Sequence, residues 1–278
     1  MRNAKKSPKK SLGQHFLVCD WVNDTLIGAA ELSNQDTVLE IGPGTGVLTR
    51  AIAPRVKKLI AVEKDDTLAQ ELRQSLAQEG ISNVSIITGD ILKVLPGLSA
   101  THNLPPTTYK LIANIPYYLT SHLLRTILER GPRPALAVLT IQKEVAQRIT
   151  TRPPNMNLLA LSVQTFSTAK IIKTVPAKCF SPKPKVDSAI IALSDISDDF
   201  FQKNAINAQD FFRIIRAAFG QKRKQLANAL TSVAGDKKTA EEILRAASIN
   251  PMNRPEELTL DQWASIVQAI NRSSDSNP

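Results

Sequence analysis

Thr37-Val38-Leu39-Glu40-Ile41 runs directly into Gly42-Pro43-Gly44-Thr45-Gly46. The first five residues suit a short buried strand. The glycines that follow suit a backbone that turns tightly and approaches a ligand closely. Val47 to Ala53 then shows helical spacing and stops at Pro54. Strand, glycine turn and helix in that order open a βα unit. The turn is spaced G-x-G-x-G, with Val47 where the dinucleotide fingerprint wants its third glycine. A pyrophosphate-binding reading is weakened, and an ordinary βα turn stays open on this stretch alone.

Working outward, the alternation continues. Leu59 to Val62 is a strand ending at Glu63, and Asp65 to Gln78 is a helix with an acidic amino-terminal cap. Val84 to Ile87 is a strand ending near Gly89-Asp90, and Tyr109 to Ala113 a strand ending at Asn114. A helix over Ser121 to Leu128, a strand over Ala135 to Ile141 and a helix over Lys143 to Ile149 follow. Ile171 to Val175 and Ser188 to Leu193 complete the sheet, and Asp20 to Ala30 is a helix ahead of it. This pattern predicts an α/β fold with a doubly wound, parallel, Rossmann-like sheet. Ser194 to Ala208 is polar and reads as a linker. Beyond it the pattern is helical only: Asp210 to Phe219, Lys222 to Ser232, Ala240 to Ala247 and Asp261 to Ile270, with a disordered tail from Ser273. Two domains are expected, residues 1–195 with a basic arm at Lys5 to Lys10, and a small all-α domain at 208–272.

Composition narrows the function. Hydrophobic residues make up 42% of 278, enough for a proper core and too many for a disordered chain. No apolar run reaches membrane-span length, and no apolar signal core follows the basic start. Cys19 and Cys179 lie far apart without metal-ligand spacing, and His15, His102 and His122 are scattered. Neither a disulfide nor a metal site is expected, and the default compartment is the reducing cytoplasm. The net charge is +10, which suits a polyanionic partner once a site for a base is found.

Ligands of such sheets bind at the carboxyl ends of the strands, where Gly42 to Gly46, Glu63, Asp90 and Asn114 all fall. Glu63, about 20 residues after the glycine turn, is placed to accept both ribose hydroxyls. Asp90 is placed to accept from an adenine amino group, or simply caps a helix. Asn114-Ile115-Pro116-Tyr117 suits methylation of an amine conjugated to a ring. The Asn114 side-chain oxygen and the Ile115 carbonyl accept the two N6 hydrogens, favouring a pyramidal, nucleophilic nitrogen in the transition state. Pro116 fixes the turn, and Tyr117 offers a face for stacking. Phe180, in the proline-stiffened Phe180 to Ser188 segment, closes the base from its second side or is a core aromatic. The base must be unstacked to enter.

Together these residues resemble the ribosomal-RNA adenine N6,N6-dimethyltransferases, in particular the small-subunit branch. Gly13-Gln14-His15-Phe16-Leu17 resembles the family's G-Q-N-F-L opening, Glu40 to Gly46 its E-I-G-P-G-x-G loop, and Asn114 to Tyr117 its N-[LI]-P-Y motif. Gln142 to Arg148 and Phe180 to Ser188 resemble two further blocks. The resemblance runs from Ser11 to Ile270. It implies S-adenosyl-L-methionine as cofactor, S-adenosyl-L-homocysteine as its product, and no metal. It implies a cofactor pocket at His15, Leu17, Gly42, Gly44, Glu63, Asp90 and Asn114. Substrate handling falls to Asn114, Ile115, Pro116, Tyr117 and Phe180.

The implied substrate is a pair of adjacent adenosines in the loop of the last helix of 16S rRNA, within an immature 30S subunit, and the implied enzyme is a monomer. Arg216 to Leu226 resembles the small-subunit branch's R-A-A-F-x-Q-R-R-K-x-L block, in which Lys222, Arg223 and Lys224 would contact phosphates. His15 departs from the family's usual asparagine. Asn157 to Ala160 departs from its usual Tyr-Gly, which leaves the shape of that loop open. Competing readings are the macrolide-resistance branch acting on large-subunit rRNA and a DNA adenine methyltransferase, whose motif usually carries two prolines. A noncatalytic assembly factor is the third, although a pure binder has no use for Asn114 to Tyr117.

Overall fold

The computed structural model describes residues 15–221 and 224–275. The basic arm, Gly13, Gln14, Lys222, Arg223 and residues 276–278 lie outside them. The chain divides into two units. One runs up to Gln147 and resumes at Thr168–Ile196; the other comprises Arg148–Ser167 and everything from Ser197.

The first unit is built on a sheet. Its strands are β2 (Thr37–Ile41), β3 (Lys58–Glu63), β4 (Val84–Thr88), β5 (Lys110–Asn114), β6 (Leu136–Gln142), β7 (Thr168–Val175) and β9 (Ser188–Ser194). They lie in the order β4-β3-β2-β5-β6-β9-β7. β2 to β6 pair in parallel, whereas β9 is antiparallel to both neighbours. The all-parallel expectation is corrected there. Apolar alternation locates a strand but carries no direction, and the short return from β7 to β9 allows an antiparallel pair. Val38, Leu39, Leu59, Ile60, Leu111, Ile112, Val138 and Leu139 are fully buried, as expected of strands covered on both faces. Helix α1 (Asp20–Ala30) packs Val22, Leu26 and Ala30 into the same cluster as Ile112, Val138 and Ile190. The chain leaves β2 outward through β3 and β4, then crosses back to β5 on the other side of β2. That reversal opens a crevice at the carboxyl ends of β2 and β5.

A two-residue ribbon stands apart from the sheet. β1 (Phe16–Leu17) pairs antiparallel with β8 (Phe180–Ser181), Leu17 facing Phe180. The ribbon brings Cys19 and Cys179 to a Cα separation of 5.1 Å, and they form a disulfide across 160 residues of chain. The expectation of unpaired cysteines is therefore overturned: separation in sequence is no measure of separation across an antiparallel pair.

The second unit is helical among its described residues. Ala208–Phe219 buries Phe211, Phe212, Ile214 and Ile215, capped by Asn207, whose side chain accepts from the Gln209 amide at 2.6 Å. Lys237–Ala246 and Leu260–Asp275 complete the bundle around fully buried Trp263. Ser273 to Asp275, expected to be disordered, continue the last helix, and the rest of that tail, residues 276–278, lies outside the described residues. Of the helix expected over Lys222 to Ser232, the described residues form two short helices, Leu226–Ala229 and Thr231–Ala234, and Lys222 and Arg223 lie outside them. The polar stretch read as linker holds a helix, Asp199–Lys203. Phe200 and Phe201 anchor it among Phe166, Phe211 and Phe212. The Asn157 region is likewise helical: the Asn157 side chain caps Leu158–Gln164 by accepting from the Ala160 amide at 3.1 Å.

Candidate active site

One cavity at the carboxyl ends of the strands is lined by His15, Leu17, Gly42, Gly44, Glu63, Asp90, Asn114, Ile115, Pro116, Tyr117 and Phe180. The structure thus brings together every cofactor and substrate residue read from the sequence. Of the RNA-binding candidates, Lys222 and Arg223 lie outside the described residues, and Lys224 is exposed, its amide donating to the Gln221 carbonyl at 2.9 Å.

The floor is the loop after β2. Gly42 and Gly44 have φ of +67° and +57°, where a side chain is disfavoured. A Cβ on Gly44 would also stand 3.0 Å from the Phe16 ring. The loop is tied to the next strand, since the Gly44 amide donates to the Glu63 carboxylate at 3.0 Å. The Asp65 amide donates to the other Glu63 oxygen at 2.9 Å. Glu63 is buried and held by two fixed donors, with remaining lone pairs to accept the hydroxyls of a diol.

Asp90 caps the short helix Ile91–Val94 by accepting from the Leu92 amide at 3.1 Å, and pairs with Lys64 at 2.8 Å. The Lys64 ammonium, with lesser help from the Leu92 amide, holds the Asp90 carboxyl below its ordinary range against the opposing effect of burial. Asp90 is therefore an ionised acceptor at the cavity wall as well as a helix cap.

Asn114 is the last residue of β5, beside Thr140 of β6. Its Nδ2 donates to the His15 carbonyl at 3.1 Å. A carbonyl can only accept, so this contact fixes which way the amide points and leaves Oδ1 as the acceptor. Tyr117 is held from two sides. Its hydroxyl shares a hydrogen bond of 2.8 Å with Ser188, and its ring stacks on His15 with centroids 5.7 Å apart. Burial raises the Tyr117 phenol above its ordinary value, so it stays neutral. His15 in turn bonds the Pro182 carbonyl through Nδ1 at 2.7 Å. Phe180 belongs to the α1 core cluster, as its core reading expects, and also lines the cavity.

Sequence reasoning missed several lining residues. Glu40 is 1% exposed and accepts from the Thr49 hydroxyl at 2.7 Å. Burial pushes its carboxyl up to about 8, the Glu63 charge adding and the Thr49 hydroxyl opposing. Asn23, buried on α1, presents an Oδ1 with no hydrogen-bond partner among the described residues. Lys64, Ile91 and the exposed Tyr118 also line the cavity. Glu40, Ile91 and Tyr118 adjoin recognised motifs and were findable; Asn23 gives no local signal.

The match to a known family is nearly end to end. The family described as ribosomal RNA adenine dimethylase matches residues 5–272. The chain belongs to that family. Within the ribosomal RNA adenine dimethylases, a ribosomal RNA small subunit methyltransferase A of Dehalococcoides mccartyi is 40% identical over 256 residues, covering 92% of this chain and 86% of that one. One from Moorella thermoacetica is 39% identical over 271 residues, covering 95% and 92%. A dimethyladenosine transferase structure from Plasmodium falciparum superposes with TM-score 0.80 at 26% identity, covering 94% of this chain and 98% of that one. The 23S rRNA methyltransferase ErmE shares the fold, with TM-score 0.71 at 24% identity over 92% and 99%.

Proposed function

We propose that this chain transfers methyl groups from S-adenosyl-L-methionine to N6 of two adjacent adenosines in the 3′-terminal helix of 16S rRNA. The product is N6,N6-dimethyladenosine, formed during 30S maturation. The observation that carries the reading is the orientation of Asn114: its amide nitrogen is engaged by His15, so Oδ1 is the acceptor at the end of β5. Relatives 39–40% identical are named for the small-subunit enzyme, which favours that RNA over the large-subunit alternative.

The cavity fits the cofactor. The glycine turn leaves backbone where a side chain would crowd a ligand. Glu63 suits the ribose diol, and Asp90 an adenine amino group. Glu40 and the unpartnered Asn23 oxygen supply deep acceptors for an ammonium. When bound, S-adenosyl-L-methionine supplies a methyl already activated by its sulfonium. What remains for the protein is alignment. Asn114 Oδ1 and the Ile115 carbonyl accept from the adenine amine and direct its lone pair, Pro116 sets the turn, and Tyr117 and Phe180 flank the ring. The nitrogen loses one proton to water at each transfer, so no strong base is needed. Lys222, Arg223 and Lys224 hold RNA phosphates. The chain works as a monomer on immature 30S subunits, without a metal, and the cytoplasmic compartment rests on that substrate, since the Cys19–Cys179 bridge removes the cysteine argument for it.

The test supplies purified protein and methyl-labelled cofactor with small subunits lacking the modification, large-subunit particles and DNA, followed by nucleoside analysis. Dimethyladenosine in small-subunit RNA alone is expected. Label in large-subunit RNA would move the chain to the resistance branch. Cofactor binding without transfer to any of them would favour an assembly factor.

A further inference from the structure

From Thr168 to Val186 the sequence carries Lys170, Lys173, Lys178, Lys183 and Lys185 and no acidic residue. All five are exposed. None forms an ion pair with a carboxylate among the described residues. Lys173 does lie over the Trp21 ring, 4.6 Å from its centroid, which leaves its charge uncompensated.

The fold sets these charges in a line that ends at the cavity. β7 is an edge strand. Residues three apart on a regular strand face opposite sides, yet Lys170 pairs with Ala192 and Lys173 with Ile190, two residues apart on β9. The irregularity between Ile171 and Lys173 inserts the extra residue that puts both lysines on one face. Ile190 and Ala192 pack with α1, so that face is the α1 side. Lys178 follows in the turn Ala177–Cys179, directly before Phe180 of the cavity wall. Lys183 comes next to Pro182, whose carbonyl is bonded by His15 of the cavity wall. Lysine on an edge strand also deters edge-to-edge pairing, but that need does not explain Lys178, Lys183 and Lys185, which lie off the strand.

We infer that the lysines of β7 and of the following loop form a phosphate track, which holds the RNA backbone leading to the base in the cavity. This inference rests on the RNA-methylating reading above. It adds a contact surface within the catalytic unit, separate from the basic block at Lys222 to Lys224. Phosphodiesters suit it because the five charges are of one sign, follow one another along the chain towards the cavity and form no ion pair among the described residues; Asp187, the nearest acid in sequence, is engaged by the Ala177 amide at 2.9 Å.

The experiment measures binding of the full chain to an unmethylated RNA hairpin carrying two adjacent loop adenosines, between about 50 and 200 mM salt. Wild type is compared with a Lys170→Gln, Lys173→Gln, Lys178→Gln triple variant and with the matching arginine triple. Thermal midpoint and cofactor affinity serve as fold controls. Losing three contacts should flatten the slope of log affinity against log salt by about 2, at roughly 0.7 per contact. The arginine triple should keep the wild-type slope. A glutamine triple with the wild-type slope, in a protein that still binds and methylates the hairpin, would overturn the track alone. Failure of wild type to bind or methylate any RNA would overturn the function as well.

Discussion

Glu40→Gln should make the free protein more stable than wild type, by a margin that grows with pH. In wild type the carboxyl is 1% exposed, and burial raises it from an ordinary 4.5 to about 8. The folded state therefore holds a proton that the unfolded chain releases above 4.5. The stability from this group is complete below that pH and drains away as pH rises towards the folded value. At about 1.4 kcal/mol per pH unit, the loss reaches about 5 kcal/mol by pH 8. That figure is a ceiling, because buried sites respond as if their dielectric were well above that of dry protein. Glutamine keeps an acceptor for the Thr49 hydroxyl and has no proton to lose. Urea unfolding of both proteins at several pH values, without cofactor, reads the difference directly. Curves that coincide at about pH 4 and separate steadily by pH 8 are expected. Parallel curves would refute the reasoning, because they would mean that the buried carboxyl ionises as readily as in the unfolded chain.

Asn114→Ala should reduce methyl transfer at least about 100-fold while RNA binding persists, the scale for removing one transition-state hydrogen-bonding group; near-normal turnover would remove Asn114 from the chemistry. Gly44→Ala should weaken cofactor binding at least tenfold by calorimetry, because its Cβ meets the Phe16 ring at 3.0 Å in a backbone conformation that disfavours side chains; unchanged affinity would mean the loop shifts freely. Reducing the Cys19–Cys179 bridge removes a crosslink spanning 160 residues, worth about 5 kcal/mol in the chain-entropy account. The thermal midpoint should fall by about 10 °C or more with reductant, and a Cys19→Ser, Cys179→Ser variant should not respond to it. Two free thiols in untreated protein would contradict the bridge.

The order of elements and the positions of Glu63, Asp90 and Asn114 at strand ends were legible from the chain because they are local. A buried strand announces itself in consecutive apolar residues, and the residue that ends it lies at the end of the sheet. The glycine turn is equally local, since only glycine sits easily at the positive φ of Gly42 and Gly44. What the chain does not display locally is pairing between distant segments. β1 and β8 are two residues each, too short to show a period, yet their pairing carries Leu17 and Phe180 to the cavity and joins Cys19 to Cys179. The antiparallel β9, the placement of Arg148–Ser167 in the helical unit and the anchoring of Phe200 and Phe201 depend likewise on which surfaces meet. The Asn23 oxygen and the Glu40 carboxyl make the same point in chemical terms. Sequence names the polar groups, but only the packed tertiary structure removes their water and thereby raises Glu40 and leaves Asn23 without a partner.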